Sequence, residues 1–113
     1  MSDEHDGTLL VLTNWPDRDG AMRLAHELVE RRLAACVNVL GGCTSTYRWK
    51  GEMETADEVP VFIKTRQALY GEVEAAIRSL HPYELPEIIA VSVVRGLPGY
   101  LAWVAAETTI AIG

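Results

Sequence analysis

The 113-residue chain has only two cysteines, ten basic residues and no long apolar run. Two cysteines are too few for a disulfide scaffold, and on one extended strand Cys36 and Cys43 would stand roughly 23 Å apart, far beyond disulfide reach. The apolar runs fall well short of the ~20 residues that span a membrane. The first residues are acidic and polar, so no secretion signal is predicted. These absences predict a cytoplasmic protein with free thiols and no membrane partner.

The charge of the chain is unbalanced towards acid, with sixteen acidic against ten basic residues and a net charge of −6. No basic stripe is present to neutralise phosphates, which argues against a nucleic-acid partner. Residues 1–7 carry three of the acidic side chains and are predicted as a disordered acidic tail. Residues 8–113 are predicted as a single domain, a length typical of one hydrophobic core.

The common catalytic and cofactor motifs are missing from the sequence. It contains no CxxC, HExxH, GxGxxG, P-loop or GxSxG pattern. No nucleophile is paired with a base at a recognisable spacing, and no loop has the ligand spacing of an EF-hand. The chain is therefore predicted to be non-enzymatic and to require no cofactor.

Apolar periodicity predicts strands and helices in the order β-α-β-β-α-β-α. A buried strand at 8–14 precedes an amphipathic helix capped by Asp17 or Asp19. The second helix ends at His81-Pro82, and the third begins at Pro98 and runs to about residue 109. The remaining strands are predicted at 35–50 (interrupted at Gly41-Gly42), 59–64 and 87–94.

This order predicts an α+β ferredoxin-like sandwich, a four-stranded antiparallel sheet with its helices on one face. The second and third strands form a long β2-β3 hairpin that turns near Gly51. Pro60 cannot donate to a ladder and is predicted near a strand start or on an edge. The hairpin overhangs the domain, and its uncovered edges predict a homo-oligomer in which copies of the chain cover one another.

Several stretches, taken together, resemble the CutA divalent-cation tolerance family. They are Leu33-Ala34-Ala35-Cys36-Val37-Asn38, Tyr47-Arg48-Trp49-Lys50-Gly51, His81-Pro82-Tyr83-Glu84-Leu85-Pro86-Glu87, Lys64-Thr65 and Tyr100-Leu101-Ala102-Trp103. The resemblance spans residues 8–106 in collinear order. It implies a tight homotrimer, built by sheet-edge pairing, that binds divalent metal ions (copper especially) and contributes to metal tolerance.

A second interpretation also follows from the resemblance, because the architecture is similar to that of PII-type signalling trimers. The alternative function is a signalling or scaffold trimer that binds a small metabolite or a protein partner in its inter-subunit clefts. Two departures from the family pattern matter. The family often has a proline before the glycine where this chain has Leu40-Gly41-Gly42. Certain members carry thiols at the positions of Thr13 and Ala76, so only Cys36 carries over to this chain.

The residues predicted to bind metal are Cys36, His81, Glu84 and Glu87. A thiolate suits Cu(I), imidazole is the commonest metal ligand, and the two carboxylates lie near the histidine in sequence. Cys36 is also explained as a small buried apolar residue where helix meets strand. His81 is also explained as a helix-terminating residue that interacts with the helix dipole. A weaker alternative makes His81 the general base of an enzyme, oriented by Glu87.

The residues predicted to line an inter-subunit cleft are Tyr47, Trp49, Glu58, Lys64 and Tyr83. The three aromatic side chains either form the wall of a ligand pocket or fill the subunit interface, where tyrosine and tryptophan are enriched. Lys64 shares a strand face with Phe62, so it is expected to pair with a carboxylate such as Glu58, to snorkel, or to bind an anion.

Overall fold

The computed structural model describes residues 6–109, which form a mixed α+β fold. The strands are β1 (Thr8–Trp15), β2 (Cys36–Val39), β3 (Cys43–Trp49), β4 (Glu52–Arg66) and β5 (Ile88–Ser92). The helices are α1 (Arg18–Glu30), α2 (Tyr70–Leu80) and α3 (Pro98–Glu107), with a short 3-10 helix at Gln67–Leu69. Of the predicted tail, residues 1–5 lie outside the described residues, and Asp6 forms an ion pair with Arg66 at 2.9 Å.

The sheet is antiparallel throughout its described strands, with the order β2-β4-β1-β5 and with β3 pairing to the outer half of β4. The two central strands, β1 and β4, are those that precede α1 and α2, as right-handed crossovers predict. Gly41 and Gly42 lie between β2 and β3, so the predicted second strand is in fact two strands that pair with different parts of β4.

The core lies between the sheet and helices α1 and α2. Alternate residues of the central strands face the helices, so that Val11 and Ile63 are partners in register and are fully buried. Leu24 of α1 and Ile77 of α2 are also fully buried against them. Asp17 is the N-cap of α1, because its Oδ2 accepts a hydrogen bond of 3.0 Å from the backbone N–H of Gly20.

Pro60 lies in the interior of β4, so its predicted place at a strand start or edge is wrong. It is the register partner of Asn14, and its carbonyl accepts a hydrogen bond of 2.9 Å from the N–H of Leu40. The C=O and the missing N–H of one residue point to the same side of a strand. The missing N–H of Pro60 therefore points towards β2 and β3, at the place where β4 changes from pairing with β3 to pairing with β2. As a result, Pro60 removes no hydrogen bond between β4 and β1.

Helix α3 lies against the face of the sheet opposite α1 and α2. Thr65 is fully buried on the face that α1 and α2 cover, so its neighbour Arg66 points to the other face. There Arg66 donates from Nε to Thr108 Oγ1 at 3.0 Å and from Nη2 to Thr108 O at 2.8 Å, at the end of α3. Burial and the neighbouring Cys36 thiol raise the pKa of Tyr100, the third residue of α3. The expectation that all helices share one face is therefore wrong for α3.

The middle of that second sheet face has no helix over it among residues 6–109. We call it the open face, and its apolar side chains are Leu10, Leu12, Phe62, Ile89 and Val91. Leu12 is the register partner of both Phe62 and Ile89, so these side chains are contiguous. Ile89 and Val91 are 53% and 49% exposed. A contiguous apolar surface of this kind is typical of a site of association.

Two buried threonines in the core give opposite expectations for stability. Thr13 Oγ1 is buried with no hydrogen-bond partner among the described residues, whereas Thr65 Oγ1 donates to Leu33 O at 2.7 Å. We expect Thr13→Val to raise the free energy of unfolding by about 1 kcal/mol, because an unsatisfied hydroxyl is removed. Thr65→Val, the matched control, is expected to lower it by about 1 kcal/mol. Urea unfolding measures both, and equal losses in the two variants would show that Thr13 has a partner.

Candidate functional site

A cleft of about 700 Å³ lies between the β3–β4 hairpin and the loop of residues 82–87. The described residues that line it are Asn14, Ser45, Thr46, Tyr47, Trp49, Glu54, Glu58, Pro82, Tyr83, Glu84, Leu85, Pro86 and Glu87. The hairpin wall is held in register by a two-residue turn, in which Lys50 and Gly51 both have positive φ, 51° and 84°. Such a turn matches the twist of the two strands and leads them away from the sheet as a pair.

His81 lies at the start of the 82–87 loop and holds that loop against the end of β1. It caps the C-terminus of α2, where its N–H donates to Ile77 O at 2.9 Å. Its Nδ1 accepts a hydrogen bond from the N–H of Tyr83 at 3.1 Å, so its Nε2, 2.6 Å from Asn14 O, carries the proton and donates. The ring centroid lies 4.2 Å from that of Trp15 and 4.7 Å from that of Tyr83. Both ring nitrogens are thus engaged, and the side chain is only 8% exposed.

Tyr83 and Glu58 meet across the cleft. The Tyr83 hydroxyl donates to Glu58 Oε2 at 3.2 Å, and Glu58 is only 8% exposed. Burial raises the pKa of Tyr83, and the negative charge of Glu58 and this hydrogen bond raise it further. The phenol therefore stays protonated at neutral pH and donates to the carboxylate. Within residues 6–109, no basic side chain lies within 4 Å of Glu58.

Three further carboxylates line the cleft. Glu87 Oε1 accepts a hydrogen bond of 2.9 Å from Asn14 Nδ2, which ties the loop to the end of β1. Glu84 Oε1 lies 3.6 Å from Lys50 Nζ at the hairpin turn, but both side chains are about 70% exposed, so this pair contributes little. Glu54 lies opposite Tyr47 in the hairpin register. The cleft is thus acidic and aromatic.

Two of the predicted site residues lie away from this cleft in a single chain. Lys64 donates from Nζ to Asn38 Oδ1 on β2, and it makes no salt bridge with Glu58. Cys36, its register partner, is half-buried beside Tyr100. Six of the predicted site residues line the same cleft: Tyr47, Trp49, Glu58, Tyr83, Glu84 and Glu87. Cys36 and Lys64 instead face each other where β2 pairs with β4, outside the cleft.

The four residues predicted to bind metal do not converge in one chain. Across the described part of the chain, no group of three or more histidine, cysteine, aspartate or glutamate side chains is placed to hold a metal ion. His81 has both nitrogens in hydrogen bonds, and Cys36 is remote from the loop. Glu84 and Glu87 do line the cleft, so their oxygen atoms are the part of the set that a divalent ion in the cleft could reach.

Sequence reasoning missed Asn14 and Glu54 as cleft residues. Glu54 was within reach of the sequence, because a two-residue turn at Lys50-Gly51 places residue 54 opposite Tyr47. Asn14 contacts Glu87 across 73 residues of chain, and no local pattern signals such a contact.

The fold and the cleft define a class of small α+β proteins with an antiparallel sheet, a long hairpin and an acidic, aromatic cleft beside it. The chain belongs to the CutA1 family: the family model described as "CutA1 divalent ion tolerance protein" matches residues 9–107. The family is named for tolerance of divalent ions and not for a reaction.

Individual relatives agree with this membership. The chain is 39% identical to the divalent-cation tolerance protein CutA of Thermus thermophilus, over 88% of this chain and 96% of that protein. It is 46% identical to mouse protein CutA over 79% of this chain, but the chain spans only half the length of the mouse protein. The crystal structure of CutA from Xylella fastidiosa superposes with a TM-score of 0.88 at 43% identity, covering 90% of this chain and 98% of that one.

The cellular location stays a prediction. A relative from Arabidopsis thaliana is named chloroplastic, and a solved relative from Archaeoglobus fulgidus is titled periplasmic. Among the helices in residues 6–109, none has the length and apolar character needed to cross a membrane.

Proposed function

We propose that this chain takes part in tolerance of divalent cations as a homotrimer of ferredoxin-like subunits that binds copper and other divalent metal ions. The observation that carries the proposal is the acidic cleft. Four carboxylates line it, and no basic residue is among the described lining residues. A cleft with this charge attracts cations and repels anions.

Support for the trimer comes from the open face and from the hairpin. Ile89 and Val91 of the open face are half-exposed in one chain, and burying them against another copy is favourable. Among the strands in residues 6–109, β3 pairs with β4 alone, and its other edge could pair with a second chain. Strand alternation places Glu58 on the same side of β4 as Phe62, so a neighbour seated on the open face would also bound the cleft.

Metal binding in such an assembly would use carboxylate oxygens from the cleft as its first ligands. Glu84 and Glu87 supply oxygens that suit divalent ions, but the described part of one chain holds no group of three such ligands. The missing ligands would come from a neighbouring copy, and Cys36 and His81 remain the predicted sulfur and nitrogen donors, respectively.

Calorimetric titration with Cu(II) tests this assignment. We expect the double variant Glu84→Gln, Glu87→Gln to bind Cu(II) at least about tenfold more weakly than the unmodified chain, because two anionic ligands are lost. A control, Glu30→Gln, Glu72→Gln, makes the same charge change on exposed helix positions and should bind normally. The variant Cys36→Ser, His81→Ala is titrated in parallel for the other predicted ligands.

The outcomes separate the function from the site. If the unmodified protein bound no divalent ion, metal binding would be wrong as a function. If it bound Cu(II) and neither double variant weakened that binding, the function would stand and the four predicted ligands would be wrong.

A further inference from the structure

Glu58 is the one buried carboxylate among the four that line the cleft. Its side chain is more than nine-tenths buried, yet the only hydrogen bond recorded for it in residues 6–109 comes from the neutral Tyr83 hydroxyl, to Oε2. Burying a carboxylate costs free energy unless a positive group compensates it. Since Glu58 lines the cleft, a cation within the cleft could supply that compensation.

The walls around Glu58 are aromatic. Tyr47 lies on the hairpin side and Tyr83 on the loop side, and each is about 40% exposed. Trp49 lines the cleft nearer the hairpin turn, opposite Glu52. The faces of aromatic rings attract positively charged groups, with tryptophan the best. Lys50 already uses this attraction at the hairpin turn, where its Nζ lies 5.5 Å from the centroid of the Trp49 ring.

The size and the ligand set favour an organic cation over a bare ion for this position. The cleft of about 700 Å³ falls in the range of small-molecule pockets and is far larger than a metal site. No group of three metal-binding side chains occurs in the described residues, and aromatic rings are not ligands for divalent ions. Pro82, Pro86 and Leu85 complete an apolar wall that suits an alkyl chain.

We infer that the cleft binds a small aliphatic ammonium compound, with its charged nitrogen beside Glu58 and the rings of Tyr47 and Tyr83. Glu54, Glu84 and Glu87 surround the rest of the cleft, so a second ammonium group on the same alkyl chain would also meet a carboxylate. This inference concerns the same cleft as the proposed function, but it does not require a metal ion.

The test is a titration of the native assembly with 1,4-diaminobutane in a buffer that contains EDTA, followed by calorimetry and by tryptophan fluorescence. Butane-1,4-diol, which has the same length and no charge, is the ligand control. We expect the diamine to bind and the diol not to bind. Glu58→Gln should weaken diamine binding at least tenfold, because glutamine keeps the shape and can still accept from Tyr83 but lacks the charge. Tyr47→Leu should weaken it severalfold, and Glu72→Gln on α2 should leave it unchanged.

Three results would overturn the inference. The first is failure of the diamine to bind to the unmodified protein at 10 mM, roughly the weak limit for a specific small ligand. The second is equal binding of diamine and diol, or equal affinity in Glu58→Gln. The third is a Glu58→Gln variant that changes its oligomeric mass while the diamine has no effect, which would mean that a basic side chain of another copy occupies the cleft. EDTA removes metal ions from the diamine titration. A failure of the diamine to bind therefore leaves the Cu(II) result standing, and a failure of Cu(II) to bind leaves the diamine result standing.

Discussion

Gly20→Ala is expected to lower the free energy of unfolding by about 2 kcal/mol, although alanine is the better helix former by about 1 kcal/mol. A Cβ at Gly20 would lie 2.4 Å from Nε1 and 2.5 Å from Cδ1 of Trp15. The Trp15 side chain is 2% exposed and packs against His81, so it has no room to move away. Overpacking therefore outweighs helix propensity at this position.

Gly71→Ala is the matched control for this substitution. Gly71 lies in the first turn of α2, and nothing lies within 4 Å of the position that its Cβ would take. Here alanine should be neutral or stabilise by up to about 1 kcal/mol. Urea unfolding of the two variants gives the comparison. A Gly20→Ala protein as stable as the Gly71→Ala protein would show that Trp15 is not fixed against α1.

Ile89→Glu is expected to change the mass in sedimentation from about three times 12.5 kDa to one copy. In the proposed trimer Ile89 lies at the interface, where an unpaired carboxylate is costly to bury. In a single chain the side chain is 53% exposed, so the substitution should leave the fold intact, which circular dichroism checks.

Val94→Glu is the control for the interface, because Val94 is 88% exposed and lies outside the open face. It should keep the trimer. A trimer that survived Ile89→Glu would place the interface elsewhere, on the hairpin edge alone. An unmodified chain that sedimented as a monomer at micromolar concentration would remove the basis of both the trimer and a shared metal site.

The elements fixed by local chemistry were predictable from the sequence. The Asp17 cap, the end of α2 at His81-Pro82 and the turn at Gly51 each depend on a few neighbouring residues, and each was confirmed. The prediction for Pro60 was wrong because β4 changes its partner from β3 to β2 beside this residue, which makes a proline acceptable inside the strand. That change depends on where Gly41 and Gly42 separate β2 from β3.

Long-range placement was harder to predict. The apolar stripe of α3 indicates a helix that packs on a sheet, but it carries no information about which face. The contact that places α3, between Arg66 and Thr108, joins residues 42 positions apart. Tyr47, Trp49 and Tyr83 belong to recognisable stretches, so the sequence could single them out as pocket or interface residues. Their place in an inter-subunit cleft stays a prediction. A metal site that needs ligands from several copies stays a prediction, because residues 6–109 of one chain hold no such site.

Arg66 has a topological consequence. Its guanidinium contacts Asp6 at 2.9 Å and Thr108 at 2.8 Å, so one side chain bridges the two ends of the described chain. The two ends of the described domain therefore lie close together. A short peptide linker would join the chain near Asp6 to the chain near Thr108. New ends opened at the Lys50-Gly51 turn would lie at the far tip of the hairpin, so a circular permutant could carry a reporter at the mouth of the cleft without cutting the core.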